Sequence, residues 1–292
     1  MSIKRICAVL AAAAAAVSAV TVTAFAAGTK VPINEKYFPD ENFREYISEN
    51  LDTDGNGYLS QKERDAVTRI DIIYMEIETL KGVGYFEKLE ILNCQGNELE
   101  SLDMSKNTML KELYCNDNEL TSLNVSKNKA LKNLKCYENE LTELDVSKNT
   151  KLKYLECYDN KLKTLDLKNN KHLLELYCYD NKLTELDVSA NKKLEILSCG
   201  ENKIKTLDLK ENTELTQLFC CVTKLSSIDV THCRKLEYLV CTSDHLKSID
   251  ISKNPKLIDF MCFGDELTEI YVCDYPEIEF FDYDDNVKII KK

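Results

Sequence analysis

This chain is short of the residues that most chemistry and most linkers require. Its 292 residues include three histidines, no tryptophan, eight glycines and four prolines. The histidines, His172, His232 and His245, stand at unrelated places, so they do not pair as metal ligands or as bases beside a nucleophile. Nucleophile motifs, Gly-rich phosphate loops and zinc spacings are missing too. Acidic residues are abundant, but they recur in rows rather than as an isolated pair in opposed environments. Catalysis is therefore not expected. Low Gly, few Pro and the lack of a Ser-rich tract leave no candidate linker. Positive charge is also in deficit, with 38 Lys and Arg against 50 Asp and Glu, a formal net charge of −12. Such a surface repels nucleic acid and anionic membranes and favours cations and basic partners.

Long apolar runs are confined to one place. Lys4 and Arg5 precede an Ala-rich run from Ile6 to Ala26 that ends in Ala24-Phe25-Ala26. A basic start, an apolar stretch and a small-x-small ending predict a secretory signal peptide over residues 1–26. Its removal would take the formal charge from −12 to −14, because Lys4 and Arg5 go with it and no acid does. Cys7 opens the run rather than following it, which argues against lipid attachment. No later segment approaches the ~20 apolar residues of a membrane span. The expected product is secreted or extracellular, with cell-surface association open and oligomeric state undetermined.

Against these absences stands a comb of cysteines. Cys94, Cys115, Cys136, Cys157, Cys178, Cys199, Cys220, Cys241 and Cys262 recur every 21 residues. A fixed period means one unit copied and stacked. The frame reads LxxLxCxxNxLTxLDVSKNxx, and nine full copies run over residues 89–277. Leu and Cys two apart point to one face of a short strand, and the residues between them point to the other. Parallel stacking at about 4.8 Å per rung then builds a continuous core. The Asn at the ninth position turns the chain and can bond neighbouring backbone as a ladder. The second half is predicted to return along the convex side as extended or short 3₁₀ segments. The row Asp103, Asp145, Asp166, Asp187, Asp208, Asp229 and Asp250 is predicted to bond turn backbone there. Rungs about 4.8 Å apart suit packed thiols better than disulfides, whose Cβ atoms want about 3.8 Å. Cys221, Cys233 and Cys273 lie off the ladder and are candidates for exposed or reactive thiols.

This frame resembles the leucine-rich repeat, in the short form of secreted bacterial proteins related to the internalins. The resemblance implies an α/β-type repeat solenoid over residues 67–292, with a parallel concave sheet, short convex segments and a small helical N-terminal cap over residues 27–66. Val67, Ile70, Ile72, Ile77 and Leu80 trace a degenerate first repeat, and Ile278, Phe281, Tyr283, Asn286 and Val287 a half repeat at the end. Thr223, Asp244 and Asp265 replace the turn Asn, and Cys233 and Tyr275 the second Asn, so the late turns are predicted to be less regular.

Residues 52–63 resemble the EF-hand calcium loop. Asp52, Asp54 and Asn56 would supply side-chain oxygens, Gly57 the sharp turn, Tyr58 its carbonyl, Ser60 a held water and Glu63 a bidentate carboxylate. Asp40 is placed as the cap of a helix carrying Phe43, Ile47 and Leu51, and a second helix is predicted from Gln61. A capping box formed by Ser60 and Glu63 is the alternative reading, compatible with calcium.

The concave face supplies the remaining candidates. Tyr137, Tyr158 and Tyr179 follow the Cys on successive rungs, Tyr114 and Tyr177 precede it, and Tyr154 lies three before it. Asp117, Glu138, Asp159, Asp180 and Glu201 form an acidic stripe beside them. Tyrosines bury much area with few rotamers and keep a polar tip. The expected function is extracellular protein or glycan binding, or adhesion, through this face, with Asp159 and Asp180 choosing a basic or hydroxyl-rich partner. The competing reading is a structural surface or matrix scaffold without a specific ligand.

Overall fold

The computed structural model describes residues 30–243, 245–273 and 278–292. The predicted signal peptide and the substitutions at Asp244 and Tyr275 lie outside the described residues.

The cap comes first. Strand β1 (Val31–Pro32), helix α1 (Glu41–Asn50), strand β2 (Tyr58–Leu59) and helix α2 (Gln61–Ala66) follow in order, with β1 and β2 paired antiparallel. Asp40 caps α1: one carboxylate oxygen accepts from Phe43 N at 2.8 Å, and the other from Glu78 N at 2.9 Å. One residue thereby starts the helix and fastens it to the first solenoid turn. Phe43 and Ile47 are buried on the inner face of α1. The Phe38 ring lies 6.1, 5.8 and 6.5 Å from the rings of Phe43, Tyr85 and Phe86. Gly82 is required beside that cluster: its φ is +107°, and a Cβ there would approach Phe38 within 2.4 Å.

The solenoid then winds through β3 (Arg69–Asp71), β4 (Ile91–Asn93), β5 (Glu112–Tyr114), β6 (Asn133–Lys135), β7 (Tyr154–Glu156), β8 (Glu175–Tyr177), β9 (Ile196–Ser198), β10 (Gln217–Phe219) and β11 (Tyr238–Thr242). Further strands alternate between two faces: β12 (Ser248–Asp250), β13 (Asp259–Phe263), β14 (Glu269–Val272), β15 (Phe280–Tyr283) and β16 (Lys288–Lys291). Eleven of them, β3 to β11 with β13 and β15, form one parallel sheet in chain order. From β4 to β11 the register advances by one repeat per strand, as in Leu113↔Leu134 and Leu134↔Leu155. Buried apolar residues and Cys therefore meet residues of the same frame position on neighbouring rungs, in one core running along the solenoid.

Three polar ladders close the turns of the early rungs. Asn160 Nδ2 donates to Cys136 O at 2.9 Å, Cys157 O at 3.3 Å and Tyr158 O at 3.1 Å, and its Oδ1 accepts from Leu141 N at 2.9 Å. The second Asn bridges rungs on the other edge, where Asn149 Nδ2 reaches Val125 O and Asn128 O at 3.0 and 2.9 Å. The convex Asp row accepts from the backbone two residues on, as Asp145 does from Ser147 N at 2.8 Å. These side chains satisfy buried backbone that no strand partner reaches.

On the early rungs the convex segments return through turns whose i→i+3 bonds repeat, as in Asn128 N to Val125 O and Leu131 N to Asn128 O, both at 3.0 Å; Val83–Tyr85 is a 3₁₀ segment before the full repeats. The late rungs depart from the early ones in their strands. Strands β11 and β13 lengthen to five residues, and the convex side becomes a second parallel sheet, β12-β14-β16. The physical reason lies at the strand end. On earlier rungs a residue of positive φ before the Asn bends the chain away, and that series ends at Val222. Without the bend, the strand runs on through Cys241 and Thr242.

Candidate functional site

In the EF-hand-like loop, Asp52 Oδ2 accepts from Gly57 N at 2.8 Å, while Oδ1 of Asp52 and of Asp54 both accept from Asn56 N at 3.3 Å. Asn56 Oδ1 accepts from Tyr58 N at 2.9 Å. The loop thus curls around its own oxygens, with Gly55 and Gly57 at φ +65° and +77° permitting the bend. Leu59 is buried while Tyr58 faces out, and their pairing with β1 fixes the exit of the loop.

Glu63 belongs to both readings of this segment. It completes a capping box with Ser60 on α2. Its oxygens accept from Thr53 N and Oγ1, both at 2.9 Å, and from Ser60 N and Oγ at 2.8 and 2.7 Å. Burial opposes its ionisation, but the Ser60 and Thr53 hydrogen bonds outweigh that and hold the carboxyl at about 2. Asp52, Asp54 and Glu63 can each place one carboxylate oxygen within 4.8 Å of the others. Ligands of one calcium ion at about 2.4 Å can be no farther apart than twice that distance, so the donor set fits.

On the concave face, the strands present half-buried residues on either side of each core Leu. Tyr114 OH donates to Glu112 at 2.7 Å and accepts from Asn133 at 3.1 Å, and Lys135 pairs with Glu156 at 2.9 Å. Burial, then Glu112, pushes the Tyr114 hydroxyl up to about 12, and burial, then Glu175, does the same for Tyr177. Tyr154 is half-buried in the column of Glu112, Asn133 and Glu175.

Tyr137, Tyr158 and Tyr179 form a single stack. Successive ring centroids are 4.3 Å apart, with planes inclined by 9° and 10°. The spacing follows from the rungs, which hold the three residues in line. Burial, then its two neighbours, raises the pKa of Tyr158, so the central ring stays neutral. Asn116 fills the same slot one rung earlier; it is fully buried, and neither amide atom has a hydrogen-bond partner.

Beside the stack, Asp117, Glu138, Asp159, Asp180 and Glu201 take φ values of +56°, +51°, +49°, +47° and +50°. This conformation was not read from the sequence, although Gly96 at the same frame position, at φ +67°, was a signal. The pKa of Glu138 is raised from its ordinary value, first through burial and then through the charges of Asp117 and Asp159.

The nine ladder thiols are all buried and none is bonded to another; Cys241 and Cys262 approach to 3.3 Å. Burial pushes the Cys115 and Cys157 thiols up to about 12. Cys221 and Cys273 are partly exposed, but Cys233 is not. It is fully buried in the second Asn row, with its thiol toward Leu209 O at 3.9 Å, which corrects its reading as an exposed thiol.

Among the described residues, no helix is long and apolar enough to cross a membrane. No family model matches the chain, and no curated protein sequence does. Solved structures do. The functional domain of InlJ from Listeria monocytogenes, described as including a cysteine ladder, matches with a TM-score of 0.79 at 28% identity over 90% of this chain. This chain spans 64% of that one. Internalins InlF and InlC2 of the same organism match with TM-scores of 0.66 and 0.52 at 16% and 17% identity, each over 90% of this chain and 93% and 97% of theirs. The chain has the fold of the internalin leucine-rich repeat proteins, with 21-residue turns and a cysteine ladder.

Proposed function

We propose that this is an extracellular binding or adhesion protein that holds a polypeptide or glycan on its concave face. The carrying observation is the Tyr137–Tyr158–Tyr179 stack beside an unbroken acidic stripe. Three parallel rings offer a large rigid surface, and five carboxylates held at a strained backbone angle give it a sign. Replacing all three tyrosines by Ser should leave the melting temperature nearly unchanged, because these side chains lie outside the core. Binding to an identified partner should fall more than tenfold, about 1.4 kcal/mol. Wild-type affinity in that triple variant would sink the concave-face reading.

The proposal includes a calcium ion in the loop of residues 52–63. Asp52, Asp54, Asn56 and Glu63 would hold it with their side chains, Tyr58 with its carbonyl and Ser60 through a water. Its role would be to gather charges that otherwise repel, fixing the cap on the first turn. Calcium at 100 times its dissociation constant should stabilise the fold by about 2.7 kcal/mol, and Glu63→Gln should remove most of that. Titration calorimetry without calcium heat, together with a melting curve that chelator leaves unmoved, would exclude the site. Export of the protein, through the predicted leader of residues 1–26, belongs to the same proposal.

A further inference from the structure

The concave face changes character along its length. The residue before the Cys is Tyr114, Lys135, Glu156, Tyr177 and Ser198 on rungs two to six, counting the Cys94 rung as the first. On rungs seven to nine it is Phe219, Val240 and Met261, in register on neighbouring strands and all partly exposed. The position that bears the acidic stripe changes on the same rung. After five acids it becomes Val222, 66% exposed and at φ +52°.

Val222 is the informative residue. A β-branched side chain in the left-handed region is a genuine outlier. Gly96 occupies the same frame position on the first rung, so the turn itself asks for no side chain. The strain at Val222 instead keeps an apolar group pointing into solvent on the rung where the Phe219–Val240–Met261 column begins. A partly exposed apolar column that begins on the rung where the acidic stripe ends describes a surface with two chemistries.

Resting on the concave-face reading above, we infer that the ligand is a polypeptide segment with a basic half and an apolar half. The basic half lies on rungs two to six along Asp117 to Glu201, and the apolar half on rungs seven to nine against Phe219, Val222, Val240 and Met261. A glycan could satisfy the acids and the tyrosine hydroxyls. It has no aliphatic or aromatic side chains to cover the apolar column, and the charge pattern selects Lys and Arg. Seven intervals of about 4.8 Å separate rungs two and nine, roughly 34 Å, which about ten extended residues span.

The test uses labelled 12-residue peptides and fluorescence anisotropy on the full chain. One pair carries six Lys or Arg residues joined to a Leu- and Phe-containing half, in either order. One control interleaves the same residues, and another is basic throughout. One block peptide should bind at least tenfold tighter than the interleaved control. Val222→Asp, which extends the stripe at an exposed position, should weaken the block peptide at least fivefold while leaving the all-basic peptide equal or tighter. Phe219→Ser should weaken the block peptide without the second effect. If block and interleaved peptides bind equally and both weaken in the triple tyrosine variant, the two-part surface is wrong and the concave-face reading survives. Binding that no variant changes overturns both, and lack of binding by any peptide up to about 1 mM overturns the two-part surface.

Discussion

Rungs two to six and rungs seven to nine are cut from one frame, yet they finish their strands by different means. On the early rungs, an acid in the left-handed region and an inward-facing Asn end the strand after three residues, and the Asn side chain bonds the buried backbone of two rungs. At rung seven Thr223 stands in for the Asn, with a single hydroxyl bond to Cys220 O at 3.1 Å. Beyond it the strands run to five residues, and Ser243 Oγ donates to Thr223 O and Leu225 O at 3.1 and 2.8 Å. Side-chain ladders hold the first region, and longer backbone pairing compensates for them in the second. The exchange has a functional side. Where the Asn ladder is intact the residue before the Asn is acidic on rungs two to six, and where it lapses the acidic run ends and the residue before the Cys turns apolar.

Both regions share the cysteine core, so the severest test concerns what they have in common. Cys157 is fully buried and its thiol is already disfavoured as an anion. Cys157→Asp should cost more than about 4 kcal/mol and unfold several rungs, since an unpaired carboxylate cannot be solvated there. Cys157→Val, close in volume and apolar, should cost less than about 1.5 kcal/mol. Urea denaturation measures both. A mild Asp variant would mean that the core is looser than its burial implies.

A middling effect separates the two regions. Asn160→Ala removes an amide whose two hydrogens are shared among three carbonyls and the oxygen that accepts from Leu141 N, leaving that buried N–H unpaired, for a loss of about 2–3 kcal/mol. Thr223→Ala removes one hydrogen bond, for about 1 kcal/mol. Equal losses in the same denaturation experiment would show that the Asn ladder does not hold the early rungs in the way proposed.

Much of this was legible in advance because each rung repeats its cause. The 21-residue frame located the strands, the buried Leu and Cys rows and both Asn rows, and the carboxylate spacing located the loop of residues 52–63. The convex sheet was not legible, and its sequence shows why. Ser227-Ile228-Asp229-Val230 and Ser248-Ile249-Asp250-Ile251 are almost the same tetrapeptide, yet only the second contributes a strand, β12. The difference comes from the turn geometry of the preceding rungs, a non-local property. The left-handed acids were hidden for a related reason. Asp and Glu carry no mark of φ, and of the two glycines in that position, Gly96 and Gly264, only Gly96 has a positive φ. Cys233 was placed in the Asn row by its spacing, but its depth depends on the turns stacked around it.

Cys233 also supplies the smallest prediction, and one of opposite sign. In the second Asn row, each amide bridges two carbonyls of earlier rungs: Asn212 reaches Val188 O and Asn191 O, and Asn254 reaches Val230 O and Cys233 O. Between them, Cys233 offers one long thiol contact to Leu209 O. Cys233→Asn should restore the pair of bonds, to Leu209 O and Asn212 O, and stabilise the chain by about 1 kcal/mol. The gain is limited because an Asn Oδ1 in this row is buried without a partner, as at Asn212 and Asn254. A higher urea midpoint with an unchanged slope is the expected readout. Destabilisation would mean that the late turns have repacked around sulfur and that the two regions no longer share one frame on the convex side.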